Sequence, residues 1–269
     1  MLDVTINAGI GDIIHCHAML EAEQDAVRVG VNHVGLHEAR NPRHSEFADT
    51  LTRFVFYGPS FQIVPQMDPC GATPQALRAA GIAMAAPDLR DVLPIHGVSA
   101  PPTPFVAVAT KVRGWRIERY LAIRERFLSR LAAIAERMPL VLVGERVLTK
   151  TPEYYGHGDG FAYSIYEDLR ALPCIDATFA EYGNEPAQWD QFRIDCTTMA
   201  HASLVVVLGT GGNCSMAMAC AKRMICLTDQ TEMGEYFHAM PADERIRLCE
   251  SDEAYLEAMG EETDGRDIP

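Results

Sequence analysis

The feature that most constrains the fold is a strand, a glycine turn, a helix and a second strand between residues 203 and 228. Leu204–Leu208 and Met224–Leu227 are uninterrupted apolar runs, which are typical of strands buried in a parallel sheet. Between them stand the turn Gly-Thr-Gly-Gly-Asn-Cys-Ser (209–215) and a small-residue helix predicted over residues 214–221. A helix that begins directly after a glycine turn leaves backbone N–H groups unpaired at the positive end of its dipole. The segment therefore predicts an α/β protein with an anion site, usually for phosphate, at this turn.

Several classes of protein are disfavoured by the same sequence. No turn has the G-x-G-x-x-G spacing of a dinucleotide-binding fold, so an NAD-dependent dehydrogenase is the least favoured enzyme. A formal net charge of −14 argues against nucleic-acid binding, which needs a basic face. Residues 229–269 carry −10 of this charge, which predicts a solvated acidic helix and a frayed end. The rest of the chain carries −4, so a local basic pocket is compatible with it.

Location and metal content are predicted from what the sequence lacks. No stretch approaches the roughly 20 apolar residues of a membrane span, and the first residues do not form a signal peptide, so we expect a cytoplasmic protein. Structural zinc sites need paired ligands at short spacing, and no C-x-x-C pair occurs. The histidine pairs 15/17 and 33/37 do not form a convincing ligand set, so no metal and no cofactor are expected. The eight cysteines are interpreted as reduced core thiols: Cys16, Cys70, Cys174, Cys196, Cys214, Cys220, Cys226 and Cys249.

Strand and helix signals alternate along the whole chain, as in βαβ units with parallel sheets covered by helices. Strands are predicted at residues 2–7, 26–31, 54–57, 61–64, 105–109 and 140–143. Helices are predicted at 12–24, 38–51, 74–80 (with Thr73 as N-cap) and 116–136. Residues 98–104 hold three prolines and are predicted to be a linker. We therefore expect two Rossmann-like domains that face a cleft, at residues 1–100 and 104–269.

Ligands of open α/β sheets bind at the carboxyl ends of the strands, and four such loops carry polar or flexible residues. After the first strand, Asp12 lies at the start of a helix, where it either caps free N–H groups or acts as a general base. Lys111 and Arg113 follow the strand that ends at Ala109 and form either a diphosphate clamp or a solvated basic turn. Glu145 follows the strand that ends at Val143, where an acidic side chain commonly binds ribose hydroxyls, although a surface glutamate is the default expectation.

A long connection at residues 149–167 is rich in aromatic residues and glycine. Its aromatic side chains either form a wall that stacks on a sugar or base, or pack the loop onto its own domain.

Three segments together resemble glycosyltransferase family 9, the ADP-heptose:lipopolysaccharide heptosyltransferases. They are Gly-Ile-Gly-Asp-Ile-Ile-His (9–15), Lys-Val-Arg-Gly-Trp-Arg-Ile-Glu-Arg-Tyr (111–120), and the strand–turn–helix–strand of residues 202–227 with Lys222 near its helix end. Their order and spacing agree with the family over most of the chain. The resemblance implies a GT-B fold, in which residues 1–100 bind the acceptor and residues 104–269, with the acidic tail, bind the nucleotide sugar.

The resemblance also implies roles for individual residues. Asp12 would be the base that deprotonates an acceptor hydroxyl, within an acceptor loop that contains Gly9 and Gly11. Lys111 would hold the donor diphosphate, with Arg113 as a helper. The amides around the glycine turn would receive the departing phosphate charge at a donor site formed by Thr210, Gly211, Gly212, Asn213 and Ser215. The family inverts the anomeric carbon in one displacement, without a metal.

The sequence departs from the family at two positions of the third segment. Thr210 stands where the family usually has Asp, and Ser215 stands where it has His. The N-terminal half is also short for the family. The leading hypothesis is a transferase that moves a sugar from a nucleotide-diphosphate sugar to a glycan or other hydroxyl acceptor in bacterial surface-glycan assembly. The alternatives are a GT-B-fold sugar-nucleotide epimerase and a non-catalytic relative that binds nucleotides or glycans.

Overall fold

A computed structural model of the chain describes residues 1–7, 9–22, 26–32, 42–64, 72–95, 104–113, 117–146, 162–179, 188–228 and 232–261. The strands are β1 (Leu2–Asn7), β2 (Val27–Asn32), β3 (Phe61–Ile63), β4 (Val106–Ala109), β5 (Lys111–Arg113), β6 (Leu140–Val143), β7 (Ala162–Ser164), β8 (Cys174–Asp176), β9 (Leu204–Leu208), β10 (Met224–Leu227) and β11 (Ile246–Cys249). The helices are α1 (Ile10–Glu21), α2 (Pro42–Val55), α3 (Pro74–Ala79), α4 (Ile117–Ala135), α5 (Tyr166–Leu169), α6 (Gln188–His201), α7 (Gly212–Cys220), α8 (Glu232–His238) and α9 (Asp252–Glu261).

Two parallel sheets organise these elements, which confirms the predicted α/β fold. The N-terminal sheet has the order β1-β2-β3, and the C-terminal sheet has the order β11-β10-β9-β4-β6-β8. Every strand pair in both sheets is parallel, whereas β5 and β7 form a separate antiparallel pair. Each residue of β4, β6, β9 and β10 is buried, because helices cover both faces of the larger sheet.

Most element positions agree with the sequence, with one clear exception. Strands β1, β6, β9 and β10 have the predicted bounds, and Thr73 caps α3 by accepting a hydrogen bond from the Ala76 N–H at 3.2 Å. The strand predicted at residues 54–57 is wrong, because Phe54 and Val55 complete α2. The buried residues of this helix recur at helical spacing: Phe47, Ala48, Leu51 and Val55. The residues at 98–103 of the predicted linker lie outside the described residues.

The two halves of the chain share one hydrophobic core. Helix α1 packs against α7, and buried side chains of both helices belong to one cluster with the N-terminal sheet. The segment after α3 is also tied to the C-terminal half, because the Leu89 N–H donates to the Ala219 carbonyl at 2.8 Å. A second cluster fills the opposite face of the larger sheet, beneath α4 and α9. The division into domains at residues 1–100 and 104–269 stays a prediction.

Most of the described cysteines, together with His15 and His17, lie in the core. Seven cysteines are described, all of them free thiols, and six are buried; Cys70 lies outside the described residues. His15 packs against Tyr236 and Phe237, whereas His17 packs against Phe56 and Phe61, so the two rings lie on different sides of α1. His33 and His37 are not among the described residues. In the described ranges, no helix is long and apolar enough to cross a membrane.

Candidate anion-binding site

The glycine turn between β9 and α7 has a backbone that only glycine adopts readily. Gly209 has a φ of +76°, and Gly211 has φ 144° and ψ −163°. The conformation of Gly211 lies in a region that is essentially restricted to glycine. Gly211 is the N-cap of α7 and supplies no side chain to cap the helix. The first turn of α7 therefore presents backbone N–H groups at the positive end of the helix dipole, an arrangement that favours an anion.

Lys111 lies at the same turn, although it is about a hundred positions away in the sequence. The two meet because β4 pairs with β9 and the chain reaches Lys111 directly after β4. A pocket at this edge of the sheet is lined by Lys111, Gly209, Thr210, Gly211, Gly212, Asn213 and Cys214. The structure thus brings together five of the predicted donor-site residues. A cation and a helix N-terminus in one pocket are a strong combination for binding phosphate.

Glu145, which was predicted to bind ribose, forms an ion pair with Lys111. Glu145 Oε2 lies 2.6 Å from Lys111 Nζ, and the Glu145 side chain is 0% exposed while that of Lys111 is 15% exposed. The backbone of Glu145 is also held firmly. Its carbonyl accepts hydrogen bonds from Thr110 Oγ1 at 2.8 Å and from Ser164 Oγ at 3.0 Å. The structure therefore places this carboxylate as the counter-ion of the pocket lysine, and its binding to ribose stays a prediction.

The side chain of Asn213 carries a hydrogen-bond donor that suits a site for a ligand. Its Nδ2 is buried and has no hydrogen-bond partner among the described residues. A β-carbon placed on Gly144 would lie 3.1 Å from this atom and 3.1 Å from Thr110 Oγ1. Because a buried amide donor without a partner costs about 1–3 kcal/mol, such groups commonly mark sites where an unseen acceptor binds. Asn213 lines the same pocket as Lys111.

The first turn of α1 lies beside the first turn of α7. A β-carbon on Gly11 would come within 3.0 Å of Ser215 Oγ, and one on Gly212 would lie 3.7 Å from Ile10 Cδ1. Glycine at both positions therefore permits the close approach. Asp12 is in the first turn of α1, and its carboxylate lies against the N-cap residue, since a β-carbon on Gly9 would be 2.9 Å from Asp12 Oδ2. Two positive helix ends thus converge at one place.

A buried hydrogen bond joins these two helices beneath the pocket. His15 Nε2 lies 3.2 Å from Ser215 Oγ, and His15 is 0% exposed. Burial lowers the pKa of His15 to about 3, so the imidazole is neutral at physiological pH. Ser215 was predicted to contact the donor, but it is 1% exposed and is bonded to His15. The role of His15 was missed from the sequence, where its spacing of three residues from Asp12 was the available signal.

Two predicted features fall outside the part of the chain that the structure describes. They are the side chain of Arg113 and residues 149–161 of the aromatic connection. Within the described ranges, no group of three or more histidine, cysteine, aspartate or glutamate side chains is arranged to hold a metal ion.

Comparisons with known proteins give structural likeness only. No family model and no curated protein matches the chain. Among solved structures, it is similar to the dodecameric iron-containing heptosyltransferase TibC in complex with ADP-D-β-D-heptose, with 14% identity and a TM-score of 0.44. That match covers 84% of this chain but only 58% of TibC.

Two further solved structures are similar over most of both chains. A glycosyl transferase family 9 protein from Veillonella parvula DSM 2008 has 11% identity and a TM-score of 0.44, with 99% of this chain and 92% of that chain covered. The E. coli ADP-heptose LPS heptosyltransferase II has 10% identity and a TM-score of 0.40, with 92% and 90% covered. What the site can bind depends on the positions of its own residues.

Proposed function

We propose that this protein is a glycosyltransferase that uses a nucleotide-diphosphate sugar, and that the pocket at the glycine turn binds the diphosphate. One observation carries the proposal: Lys111, the N-terminus of α7 and Asn213 line one pocket, and the buried Nδ2 of Asn213 has no hydrogen-bond partner among the described residues. A cation, helix N–H groups and a buried amide donor all favour a ligand with several anionic oxygens. A diphosphate has such oxygens. The inference that the diphosphate carries a sugar rests on the resemblance of the sequence motifs.

In the transfer step, the acceptor hydroxyl and the leaving diphosphate lie on opposite sides of the sugar. The acceptor hydroxyl oxygen attacks the anomeric carbon while the bond from that carbon to the diphosphate oxygen breaks. Asp12, next to the pocket at the start of α1, takes the proton from the attacking hydroxyl. Lys111 and the N–H groups around Gly211 stabilise the negative charge that develops on the leaving diphosphate, with Arg113 as a further cation. A single displacement of this kind inverts the anomeric carbon, and these groups neutralise the charge without a metal.

The cellular setting follows from the resemblance of the motifs. In this proposal the acceptor is a glycan or another hydroxyl compound of bacterial surface-glycan assembly, as for lipopolysaccharide, and transfer takes place in the cytoplasm. The replacements at Thr210 and Ser215 favour a second candidate, a relative that binds the nucleotide or glycan without turning it over. Both candidates use the same diphosphate pocket.

The test is to incubate purified protein with a panel of nucleotide sugars, with and without glycan acceptors, and to separate the products by chromatography. Release of nucleoside diphosphate that requires an acceptor supports the transferase. Conversion of the nucleotide sugar without an acceptor identifies an epimerase, and tight binding without turnover identifies a binding protein. If no nucleotide sugar and no nucleoside diphosphate binds, the proposal fails altogether.

The residue-level test is Asp12→Asn, which removes the proton acceptor and keeps the size of the side chain. We expect this variant to bind the donor normally and to lose at least about a hundredfold in turnover, as expected for a general base. Glu21→Gln, at the exposed far end of α1, is the matched control and keeps full activity. Unchanged turnover in Asp12→Asn removes Asp12 from the mechanism.

A further inference from the structure

Glu145 places a negative charge beside a pocket that is otherwise built for an anion. Its carboxylate is fully buried and lies 2.6 Å from Lys111 Nζ, while Lys111 itself lines the pocket. A phosphate that binds there contacts a lysine whose ammonium group is already paired with a buried carboxylate. A simple anion receptor does not need this second group, and its presence calls for a separate role.

The fold holds Glu145 in this position through its backbone. Gly144, the preceding residue, has a φ of +98° and turns the chain at the end of β6. The Glu145 carbonyl accepts hydrogen bonds from Thr110 Oγ1 at 2.8 Å and Ser164 Oγ at 3.0 Å. A parallel bridge to Phe179 fixes the other side of the residue. These contacts fix the backbone of Glu145 beside Lys111.

Electrostatics determines what this placement does to a ligand. A buried carboxylate repels a phosphate a few ångströms away, and weak screening in a partly desolvated pocket makes that repulsion large. The same carboxylate offsets the charge of Lys111. The ammonium group has three N–H donors, and its hydrogen bond to Glu145 uses one of them. Lys111 therefore contributes less net attraction to a bound phosphate than a lysine without a buried counter-ion would.

We propose that Glu145 is a positioning residue that acts through Lys111 and lowers the affinity of the pocket for its anion. The inference rests on the proposed function for the identity of that anion, a nucleoside diphosphate. In a transferase, the diphosphate that is left after transfer carries more charge than the esterified donor. A counter-ion behind the lysine weakens the binding of this product most strongly and speeds its release.

The test uses two diphosphate ligands, one that carries a ribose and one that does not. Inorganic pyrophosphate and ADP are titrated into wild-type protein and into Glu145→Gln by calorimetry at low ionic strength. We expect the variant to bind both ligands about tenfold more tightly, equivalent to about 1.4 kcal/mol, and to lose part of this gain at high salt. Glu167→Gln is the matched control, since it makes the same change in net charge at a side chain that is 77% exposed, and it leaves both affinities unchanged.

The other roles open to Glu145 give different results, and each of them overturns the proposal. If Glu145 binds ribose, Glu145→Gln loses affinity for ADP and keeps its affinity for pyrophosphate. If Glu145 only anchors Lys111, both ligands bind more weakly. If the pair is purely structural, thermal stability changes and neither affinity does. Wild-type protein that binds neither pyrophosphate nor any nucleoside diphosphate contradicts the proposed function instead, so the two failures are distinguishable.

Two further variants keep the test informative if Glu145→Gln does not fold. Glu145→Asp retains the charge, and we expect its affinities to stay within about twofold of wild type. The double variant Lys111→Met/Glu145→Gln leaves neither member of the charged pair in the protein. It should bind pyrophosphate more tightly than Lys111→Met alone, because the single variant leaves the carboxylate uncompensated. Equal binding by these two variants overturns the proposal.

Discussion

His15 on α1 and Ser215 on α7 are hydrogen-bonded at 3.2 Å although 200 positions separate them in the sequence. Asp12 lies one turn before His15 on α1, and Gly211, the N-cap of α7, lies one turn before Ser215. The bond therefore lies between the proposed base and the proposed diphosphate site. It adds one polar contact to the hydrophobic core that the two halves of the chain share.

The stability of this contact can be measured with Ser215→Ala. The substitution leaves the buried Nε2 of His15 without its partner, and Nδ1 has none among the described residues already. We expect the free energy of unfolding to fall by about 1–3 kcal/mol, measured by urea denaturation. Thr50→Ala, at an exposed position on α2, is the control and should change stability by less than about 0.5 kcal/mol. Equal stability of the two variants would show that the hydrogen bond contributes nothing.

His15 should also make stability depend on pH. Burial lowers the pKa of His15 to about 3 in the folded protein, whereas an unfolded histidine has a pKa of about 6.5. The unfolded chain therefore takes up a proton that the folded chain does not, so this stabilisation is complete above pH 6.5 and is lost as the pH falls toward 3. Between pH 7 and pH 5 the loss is about 2 kcal/mol.

The comparison with His15→Gln isolates this effect, since glutamine can still bond to Ser215 and does not titrate. His17 has a pKa that is also lowered by burial, and it is present in both proteins. Urea denaturation at the two pH values should give a shallower pH dependence for His15→Gln by that amount. Parallel stability profiles would contradict the assignment of a neutral, buried imidazole.

The third prediction concerns the backbone conformation of the glycine turn. Gly211→Ala places a β-carbon where φ is 144°, a conformation that other residues adopt at a cost of at least about 1–3 kcal/mol. We expect the turn to rearrange, so that pyrophosphate affinity measured by calorimetry falls at least about tenfold. Gly58→Ala is the control, because a β-carbon there meets nothing within 4 Å, and it should bind as wild type does. Normal binding by Gly211→Ala would separate the turn from the anion site.

The local parts of the fold were predictable because they depend on short-range patterns. Four apolar residues in succession predicted β6, and a threonine followed by a proline predicted the N-cap of α3. The erroneous strand at residues 54–57 shows the limit of such patterns. Phe54 and Val55 read as part of a short apolar run, but they also continue the helical spacing of α2.

The tertiary pairs of the site were not predictable from the same patterns. Lys111 and Glu145 were each assigned to a ligand, and the structure pairs them with one another. Lys111 and Glu145 come after β4 and β6, which are neighbours in one sheet. The two residues are close because of this strand order, and the periodicity of apolar residues does not determine strand order. His15 was considered as an unlikely metal ligand and as the last residue of the first motif, because the sequence does not show that α1 packs on α7. Sequence patterns located the loops of the site, and packing determined the partner of each side chain.

Calorimetric titration of a nucleoside diphosphate tests whether the pocket at Lys111 and the glycine turn binds a diphosphate. Wild-type protein, Lys111→Met and the control Lys222→Met, whose lysine is exposed at the far end of α7, are compared under identical salt. Wild type and Lys222→Met should bind with the same affinity, and Lys111→Met should bind at least about tenfold more weakly because it loses a charge-assisted hydrogen bond to phosphate. Equal binding by all three proteins, or no binding by wild type, would contradict the assignment of the pocket at Lys111 and the glycine turn as a diphosphate site.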